Sequence, residues 1–359
     1  MLKSEFHYDD ISNVGIKNNH NLQKEINNLI KSPNLFPYEL DIINNKIHFV
    51  VMNEKLYKRS FFILSPGKGP GFLKGNQSFS LNLSDVVKKF KNIHFSNNAA
   101  IIYNHGFCCS TLLSRLIEES FSVLSLKEPP LLNALSFYLN QNNDQDKTDI
   151  KTTIFNLHNR SFRTNQKVLW KPSDYAFRVV NDTESLGIPS IYLYSPLEEY
   201  IASCLKKKRS DWIKKRANYI EICEYLNIDS NQINIESASI QATLYWCSFA
   251  VKYRKYSIKN NIRALSSSTL LNNPSITKKV GNHLKLNRRF NIFEKYNRYK
   301  LLNTYAKTDS YKYSKKQREF MLNNIIKENL EDIQKAKVLA ERILDIDSID
   351  EFKFYGEIL

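Results

Sequence analysis

A glycine, two cysteines, a serine and a threonine stand close together in the stretch IIYNHGFCCSTLLSRLIEESF, at residues 101–121. Backbone N–H groups at the start of a helix, together with the helix dipole, can hold phosphate groups. Gly106 permits the tight turn that such a cradle needs, and Ser110 and Thr111 supply hydroxyl donors at the start of the predicted helix. We expect the backbone amides of residues 107–111 to bind an anion.

The cradle differs from the phosphate loop of standard ATPases and kinases, which follows the pattern G-x-x-x-x-G-K-[ST]. Counted from Gly106, Thr111 and Leu112 occupy the positions of the second glycine and the lysine. ATPase or kinase chemistry of that kind is therefore not expected.

Two side chains are candidates for accepting a proton. Glu128 follows the next predicted strand, and a carboxylate within hydrogen-bond reach of an acceptor hydroxyl can act as a general base. The alternative for Glu128 is a charged strand end paired with its neighbour Lys127. His105 has an intrinsic pKa suited to proton abstraction near neutral pH, and its alternative role is to brace the strand end.

Several cations follow predicted strands. Lys127 and Lys171 each end an apolar segment, where a cation has little purpose in packing. Ligands of open parallel sheets bind at the carboxyl ends of the strands, so we expect both lysines to point toward that crevice. The run at 206–209 follows a later strand, and we expect at least one of its cations, Arg209 among them, to face inward.

Cys108 and Cys109 lie inside the cradle. A thiol at a helix N-terminus can become acidic and nucleophilic. The alternative is that both cysteines are small residues that let the backbone approach a phosphate. No cluster in the chain has metal-ligand spacing, so no metal is expected.

The surrounding segments alternate between short apolar strands and longer helices. This alternation predicts an α/β protein of three layers, a parallel sheet covered by helices on both faces. The predicted strands lie at 99–104, 123–126, 167–170 and 190–194 and after residue 261, and long helices lie at 110–121, 130–141 and 239–256. The polar insert at 142–149 is predicted to be a loop, and Ser173 or Asp174 is predicted to cap a helix at 175–186.

We predict three regions along the chain: a lead subdomain at 1–95, an α/β core at 96–312 and C-terminal docking helices at 313–359. The lead subdomain includes a predicted strand at 61–65 and a glycine-rich turn at 65–72. In the C-terminal helices, a spaced apolar face predicts docking without chemistry; its members are Phe320, Ile325, Leu330, Ile333, Leu339 and Ile343.

Composition limits the class of protein. Fifty-two basic and 36 acidic residues give a net charge of +16, which favours anionic partners, although a Lys-, Asn-, Ile- and Tyr-rich composition is also typical of AT-rich codons. Five scattered cysteines fit a reducing compartment. No apolar run approaches the roughly 18 residues that span a bilayer, and the start does not resemble a signal peptide. We expect a cytoplasmic protein.

The cradle resembles the 5′-phosphosulfate loop of sulfotransferases, roughly [K/R]-S-G-T-T-W/L, and is most similar to the F-C-C-S-T-L-L loop of bacterial sulfotransferase-like proteins of undefined substrate. Further segments resemble that family in order and spacing: LSLKEPPLL, VLWKPSD, IYLYSPLEEYIASCLKKK and IRALSSSTLLNNPSITKKVGNHLKL. The resemblance covers about 98–312. It implies a P-loop fold and transfer of a sulfuryl group from 3′-phosphoadenosine-5′-phosphosulfate (PAPS), without a metal, to a small-molecule or carbohydrate acceptor.

The resemblance also implies roles for particular residues. The loop residues Gly106, Phe107, Cys108, Cys109, Ser110 and Thr111 would hold the 5′-phosphosulfate, Glu128 would deprotonate the acceptor, and Ser203 would match the serine that contacts the 3′-phosphate. Lys127 or Lys171 would neutralise the leaving group.

Two departures from the family pattern concern cations. Phe107 stands where the loop has lysine or arginine, and Tyr194 or Ser195 stands where the 3′-phosphate arginine would be. A charge-assisted hydrogen bond contributes roughly 1.5–3 kcal/mol, so losing both would weaken donor binding by about 10²–10⁴-fold unless other cations substitute.

The leading hypothesis is therefore a PAPS-dependent sulfotransferase. The second is a non-catalytic relative that retains an anion-binding cradle. The third is a nucleic-acid-binding protein, which we rank last because the sequence has no helix-turn-helix, zinc-finger or aromatic RNA-binding signature.

Overall fold

The computed structural model describes residues 27–30, 32–58, 78–94, 98–141, 146–206, 209–260, 262–304 and 313–359. The chain forms two compact units. Unit 1 comprises Met1–Ile101, Ser120–Pro189 and Lys285–Phe290, and unit 2 comprises Ile102–Glu119, Ser190–Leu284 and Asn291–Leu359.

Unit 1 contains a three-stranded antiparallel sheet in the order β1-β2-β3. The strands are β1 (Leu35–Asp41), β2 (Lys46–Val51) and β3 (Ser78–Asn82). Two helices accompany them, α1 (Glu54–Tyr57) and α2 (Leu83–Phe90). The side chain of Asn82 caps α2 by accepting the N–H of Ser84 at 3.0 Å, so the strand ends directly in the helix.

The second sheet has five parallel strands flanked by helices, in the order β5-β6-β4-β7-β8. The strands are β4 (Ala99–Asn104), β5 (Val123–Lys127), β6 (Lys167–Lys171), β7 (Ser190–Tyr194) and β8 (Arg263–Ser266). Every residue of β4 and β7 is buried. Strands that are apolar throughout are typical of parallel sheets covered on both faces, and the predicted α/β class is confirmed.

Helices connect these strands. Between β4 and β7 the chain forms α3 (Ser110–Ser120), α4 (Pro130–Gln141), α5 (Asp146–His158) and, after a 3-10 turn at Asp174–Val179, α6 (Val180–Ser185). Between β7 and β8 it forms α7 (Leu197–Leu205), α8 (Arg209–Lys214), α9 (Tyr219–Tyr225) and α10 (Ala238–Asn260).

After β8 the described part of the chain contains five further α-helices and a non-helical segment at 345–359. The helices are α11 (Ser267–Asn272), α12 (Thr277–His283), α13 (Glu294–Leu302), α14 (Lys315–Glu328) and α15 (Leu330–Leu344). None of the described helices is long and apolar enough to cross a membrane.

The strand order creates a reversal between β4 and β7. From β4 the chain moves past β6 to β5, whereas from β7 it moves in the opposite direction to β8. In open parallel sheets, the point where successive connections diverge leaves a crevice at the carboxyl ends of the two strands, where ligands bind. The loop after β4 begins at that point.

Two expectations from the sequence, the loop at 142–149 and the Ser173 cap, are wrong in detail. The insert predicted as a loop at 142–149 is helical from Asp146, because Ile150, Ile154 and Phe155 are buried and packing overrides its weak helix propensity. Ser173 does not cap the following helix, since its hydroxyl donates to Asn133 Oδ1 at 2.7 Å and α6 has Val179 at its N-cap without a side-chain hydrogen bond.

The C-terminal helix pair is present, but two members of its predicted apolar face are not part of the core. Phe320 is 67% exposed and Leu330 is 62% exposed, whereas Ile333 and Leu339 are buried. The predicted strand at 61–65 and the glycine-rich turn at 65–72 lie outside the described residues, as do positions 207 and 208.

A buried polar network stabilises unit 1 at the end of α5. The indole N–H of Trp170 donates to the carbonyl of His158 at 3.0 Å, and His158 Nδ1 donates to the carbonyl of Ile154 at 2.8 Å. Arg160 donates to the carbonyls of Leu29 and Ser32, which precede β1, and to the carbonyl of Leu35, the first residue of β1. Burial lowers the pKa of His158 to about 4, so the ring is neutral in the folded state at pH 7.

His158 makes stability depend on pH. An unfolded histidine has a pKa near 6.5, so between about pH 4 and 6.5 the unfolded state binds more protons than the folded state. The contribution is fully present above that window and is lost as the pH falls through it. Urea unfolding at pH 7 and pH 5 is expected to differ by about 2 kcal/mol from this residue.

The variant His158→Phe separates this effect from other acid-sensitive groups. It keeps a ring against Phe36 and Trp170, whose centroids lie 5.9 and 6.4 Å away, and removes the titrating group. Its free energy of unfolding should change less between pH 7 and pH 5 than that of the wild type, and an unchanged pH dependence would contradict the assignment.

Candidate functional site

The loop between β4 and α3, in unit 2, has an unusual backbone. Gly106 has φ +85°, and the non-glycine residues Phe107 and Cys109 have φ +50° and +64°. Left-handed backbone at such residues is unfavourable and persists only where the surrounding structure holds it. Turns in which left-handed residues alternate with right-handed ones direct successive N–H groups into one concavity that binds anions.

Asn104, the last residue of β4, holds the loop from one side. Its Oδ1 accepts the backbone N–H of Gly106 at 3.1 Å and lies 3.4 Å from the hydroxyl oxygen of Ser110. An asparagine that bonds its own backbone two residues on stabilises a turn. The chain therefore reverses immediately after the strand and reaches the start of α3 at Ser110.

His105 connects the loop to β7. Its Nε2 accepts the backbone N–H of Ser195 at 3.0 Å, and its ring packs edge-on against Tyr200 with centroids 4.6 Å apart. Trp246 donates to the carbonyl of Ser195 at 2.9 Å, which fixes the same strand end. The lone pair of Nε2 is thus used by a backbone amide, as the bracing alternative for His105 requires.

The first turn of α3 leaves buried donors unused. Ser110, Thr111 and Leu112 are each at least nine-tenths buried, and the first intrahelical bond runs from the N–H of Leu113 to the carbonyl of Cys109. Within the described part of the chain, the N–H groups of Cys109, Ser110, Thr111 and Leu112 donate to no acceptor. Buried N–H groups are nearly always hydrogen-bonded, so this turn can accept an anion.

Arg318, in α14, is a cation near the loop that the sequence did not suggest. Its Nη1 forms an ion pair with Glu199 at 2.8 Å, and Ser268 holds the other carboxylate oxygen at 2.6 Å. Arg318 is only 8% exposed, and its buried Nη2 has no hydrogen-bond partner in the described ranges.

Arg318 and Lys206 interact electrostatically with the thiol of Cys109. Burial raises the pKa of the Cys109 thiol, while the positive charges of Arg318 and Lys206 oppose the rise. The thiol is therefore protonated at neutral pH, as expected if Cys109 is a small loop residue. Burial, followed by the charges of Arg209 and Arg318, lowers the pKa of Lys206 to about 8.

Phe107 stands at the position where the sulfotransferase loop that the sequence resembles has a cation. The ring of Phe107 contacts the guanidinium of Arg209. The guanidinium carbon of Arg209 lies 4.6 Å from the ring centroid, and the ring of Trp212 packs edge-on at 4.9 Å. Arg209 also donates to the carbonyl of Ser203 at 3.2 Å. The Phe107 ring is thus packed against α8, and it holds Arg209 beside the loop through a cation–π contact.

Neither residue at the position of the family's 3′-phosphate arginine is an exposed contact. Tyr194 is buried, with Phe354 edge-on against it at 4.4 Å. The Ser195 hydroxyl lies 2.9 Å from the hydroxyl of Ser267 and donates to the carbonyl of Phe107 at 3.3 Å. Ser203 is 3% exposed and lies on α7.

The remaining candidates belong to unit 1. Lys127 is fully buried and donates to the carbonyl of Tyr57 at 3.0 Å. Glu128, with φ +58°, forms an ion pair with Lys171, so its partner is Lys171 and not the sequence neighbour Lys127. The side chain of Lys171 is 1% exposed and that of Glu128 15%.

Sequence reasoning found the loop and missed Glu199 and Arg318. The local signal was the segment SKKQR at the start of α14. In it Ser314 and Gln317 form a capping box, and Arg318 directly follows Gln317. That motif locates a helix start, but it does not reveal which other helix the arginine will contact.

Comparison with known proteins adds no family assignment: no protein-family model matches the chain, and no curated protein matches it. The functional assignment consequently rests on the fold, the loop and the charges around it.

Lys206 is expected to titrate near pH 8, because burial and two neighbouring arginines disfavour its charged form. An NMR titration of ¹³C-methylated lysines measures the midpoint. The exposed Lys335, whose pKa its hydrogen bond to Glu331 raises, provides an internal reference. Arg209→Gln should move the midpoint of Lys206 upward, and a Lys206 midpoint equal to that of Lys335 would refute the crowding of cations.

Proposed function

We propose that the chain binds a 3′-phosphoadenosine nucleotide at the start of α3 and transfers a sulfuryl group from PAPS to a hydroxyl or amine of a small-molecule or carbohydrate acceptor. The observation that carries the proposal is the row of unused N–H groups at Cys109, Ser110, Thr111 and Leu112, the last three of which belong to buried residues. Such a row, at the positive end of a helix dipole, suits a phosphate or phosphosulfate group.

The topology supports a nucleotide site of the P-loop kind. The loop after β4 lies at the reversal of strand order, where parallel sheets bind ligands. We infer that the five-stranded sheet and its helices form the three-layer architecture of sulfotransferase-like P-loop proteins, which the resemblance of segments 98–312 implies.

The charges of unit 2 can replace the two cations that the sequence lacks. Arg209 contacts the ring of Phe107 in the loop, and the charges of Arg318 and Lys206 act on Cys109. Glu199 forms an ion pair with Arg318. A charge-assisted hydrogen bond contributes roughly 1.5–3 kcal/mol, so two such contacts would offset the loss expected from Phe107 and from position 194 or 195.

The proposed transfer is an in-line displacement, governed by positioning and charge stabilisation as in phosphoryl transfer. The acceptor oxygen or nitrogen attacks sulfur, the bond from sulfur to the 5′-phosphate oxygen breaks, and 3′,5′-adenosine bisphosphate leaves. The resemblance to sulfotransferases assigns the acceptor's proton to Glu128 and the neutralisation of the leaving group to Lys171 or Lys127. No metal takes part in this proposal.

A specific observation favours a second candidate, an anion-binding relative without catalysis. Each proposed catalytic side chain already has an intramolecular partner: Glu128 pairs with Lys171, Lys127 bonds the carbonyl of Tyr57, and His105 accepts the amide of Ser195. These contacts are what a structural role requires, and the transfer reaction would have to break the ion pair of Glu128 before this carboxylate could accept a proton.

We further propose a cytoplasmic location, which suits a protein whose five cysteines are all free thiols. Nucleic-acid binding through the net charge of +16 remains the third hypothesis, since no contact in the described residues favours it over a nucleotide.

Calorimetry with 3′,5′-adenosine bisphosphate tests the binding site. Arg318→Gln is expected to weaken binding by about 10–100-fold, because it removes one charge-assisted hydrogen bond. Arg342→Gln, which makes the same change at an exposed position of α15, should leave the affinity unchanged. Circular dichroism verifies that both variants fold. Absence of binding by the wild type at millimolar ligand would end the proposal.

An assay of sulfuryl transfer separates the two candidates. If the chain is a sulfotransferase, Glu128→Gln should reduce kcat by at least about 10²-fold, the usual contribution of a general base, with little change in bisphosphate affinity. Glu331→Gln, which makes the same change at an exposed position of α15, is the control. Binding of the bisphosphate without transfer to a panel of acceptors would favour the non-catalytic relative.

A further inference from the structure

The segment that begins α13 exposes an unusual set of large side chains. Ile292 is 73% exposed, Phe293 62%, Tyr296 67% and Tyr299 68%. Spacings of three and four residues place them on one side of the helix and of the turn before it. Contiguous exposed apolar side chains mark interaction surfaces, whereas scattered ones are ordinary. We call these residues the α13 face.

The opposite side of α13 is anchored, so the exposure of this face is built into the fold. Asn291 and Asn297 both donate to Glu119 Oε2, at 2.9 and 2.8 Å. Arg298 donates to the carbonyl of Pro274 at 2.6 Å, and Leu301 is buried. The helix cannot turn its aromatic side inward without breaking these contacts.

The charges of the α13 face are positive. Lys295 and Lys300 are exposed on the same side as the tyrosines. The acidic residue of the helix, Glu294, lies 3.9 Å from Arg298 and is half-buried with it. The face therefore combines apolar tips, tyrosine rings and exposed lysines.

We propose that the α13 face binds the surface of a membrane that contains anionic phospholipids. Apolar side chains that enter the boundary of the acyl chains, aromatic rings at the headgroup level and lysines that contact anionic headgroups are the features of interfacial helices. Each lysine near such a surface strengthens binding by about fivefold.

The charge pattern favours an anionic membrane over two other occupants of the α13 face, a second copy of the chain and a single-stranded nucleic acid. In a symmetric dimer through this face, the lysines of one copy would meet those of the other, and like charges oppose such an interface. A single-stranded nucleic acid would use the tyrosine rings for stacking, but Ile292 has no π face, and it is the most exposed member.

The α13 face is separate from the proposed nucleotide site. Glu119, which anchors α13, is at the carboxyl end of α3, whereas the loop is at the amino end. At 1.5 Å per residue the helix separates them by about 15 Å. Membrane contact through α13 would thus leave the start of α3 available to its ligand.

Flotation with vesicles tests this proposal on the full chain. We expect binding to phosphatidylcholine vesicles that contain phosphatidylglycerol, little binding to phosphatidylcholine alone, and weaker binding at high salt. The double variant Lys295→Gln/Lys300→Gln should lose about 30-fold in vesicle affinity. Phe293→Ser/Tyr296→Ser should also weaken binding, whereas Phe320→Ser, at an equally exposed aromatic residue of α14, should not.

Size-exclusion chromatography with light scattering and competition with a single-stranded oligonucleotide cover the other occupants. The proposal is overturned by a dimer that Phe293→Ser/Tyr296→Ser dissociates, by an oligonucleotide whose binding those two substitutions abolish, or by equal affinity for neutral and anionic vesicles. Because the substitutions are exposed and far from the loop, their bisphosphate affinity should match the wild type, which also verifies folding.

Discussion

The turn after β4 is the constraint on which the functional part of the molecule depends. Left-handed conformations at Phe107 and Cys109 are each unfavourable by about 1–3 kcal/mol, and the helix that follows begins with buried N–H groups that no described acceptor satisfies. Both features oppose folding unless the surroundings compensate for them. Asn104 and His105 hold the turn in place by side-chain hydrogen bonds to backbone amides, and an anionic guest would supply the missing acceptors. In the proposed complex, the same geometry would orient these amides toward the anion.

Charge is distributed in a way that fits this interpretation. Lys206 follows α7, Arg209 begins α8 and Arg318 lies in α14, yet each of the three interacts with another member of the group or with the loop. One carboxylate, Glu199, neutralises only part of this charge. Cations that repel one another in a partly desolvated place are unfavourable on their own, and an anion between them would reverse the sign of that interaction. The resemblance to sulfotransferases predicts cations in the loop and at position 194 or 195. It does not by itself predict a role for Arg318.

Much of the fold could be predicted from the sequence because its signals are local. The strands Ala99–Asn104 and Ser190–Tyr194 and the helix Pro130–Gln141 have the predicted bounds, since short buried runs and a proline at the first turn determine them. The helix Asp146–His158 could not be predicted, because its stability comes from buried residues that contact distant parts of the chain. The same applies to the site: the loop has a sequence motif, whereas Arg318 reaches it only through tertiary packing.

The large separation along the sequence between the loop and Arg318 has a consequence for synthesis. The loop residues leave the ribosome long before α14 does, and at 5–20 residues per second the interval is on the order of ten seconds or more. During that interval the nascent chain carries the turn and the start of α3 without the arginine that lies beside Cys109. The surroundings of Cys109 are therefore complete only after α14 has emerged, and a chain cut short before residue 318 would include all five strands of the parallel sheet while lacking this cation.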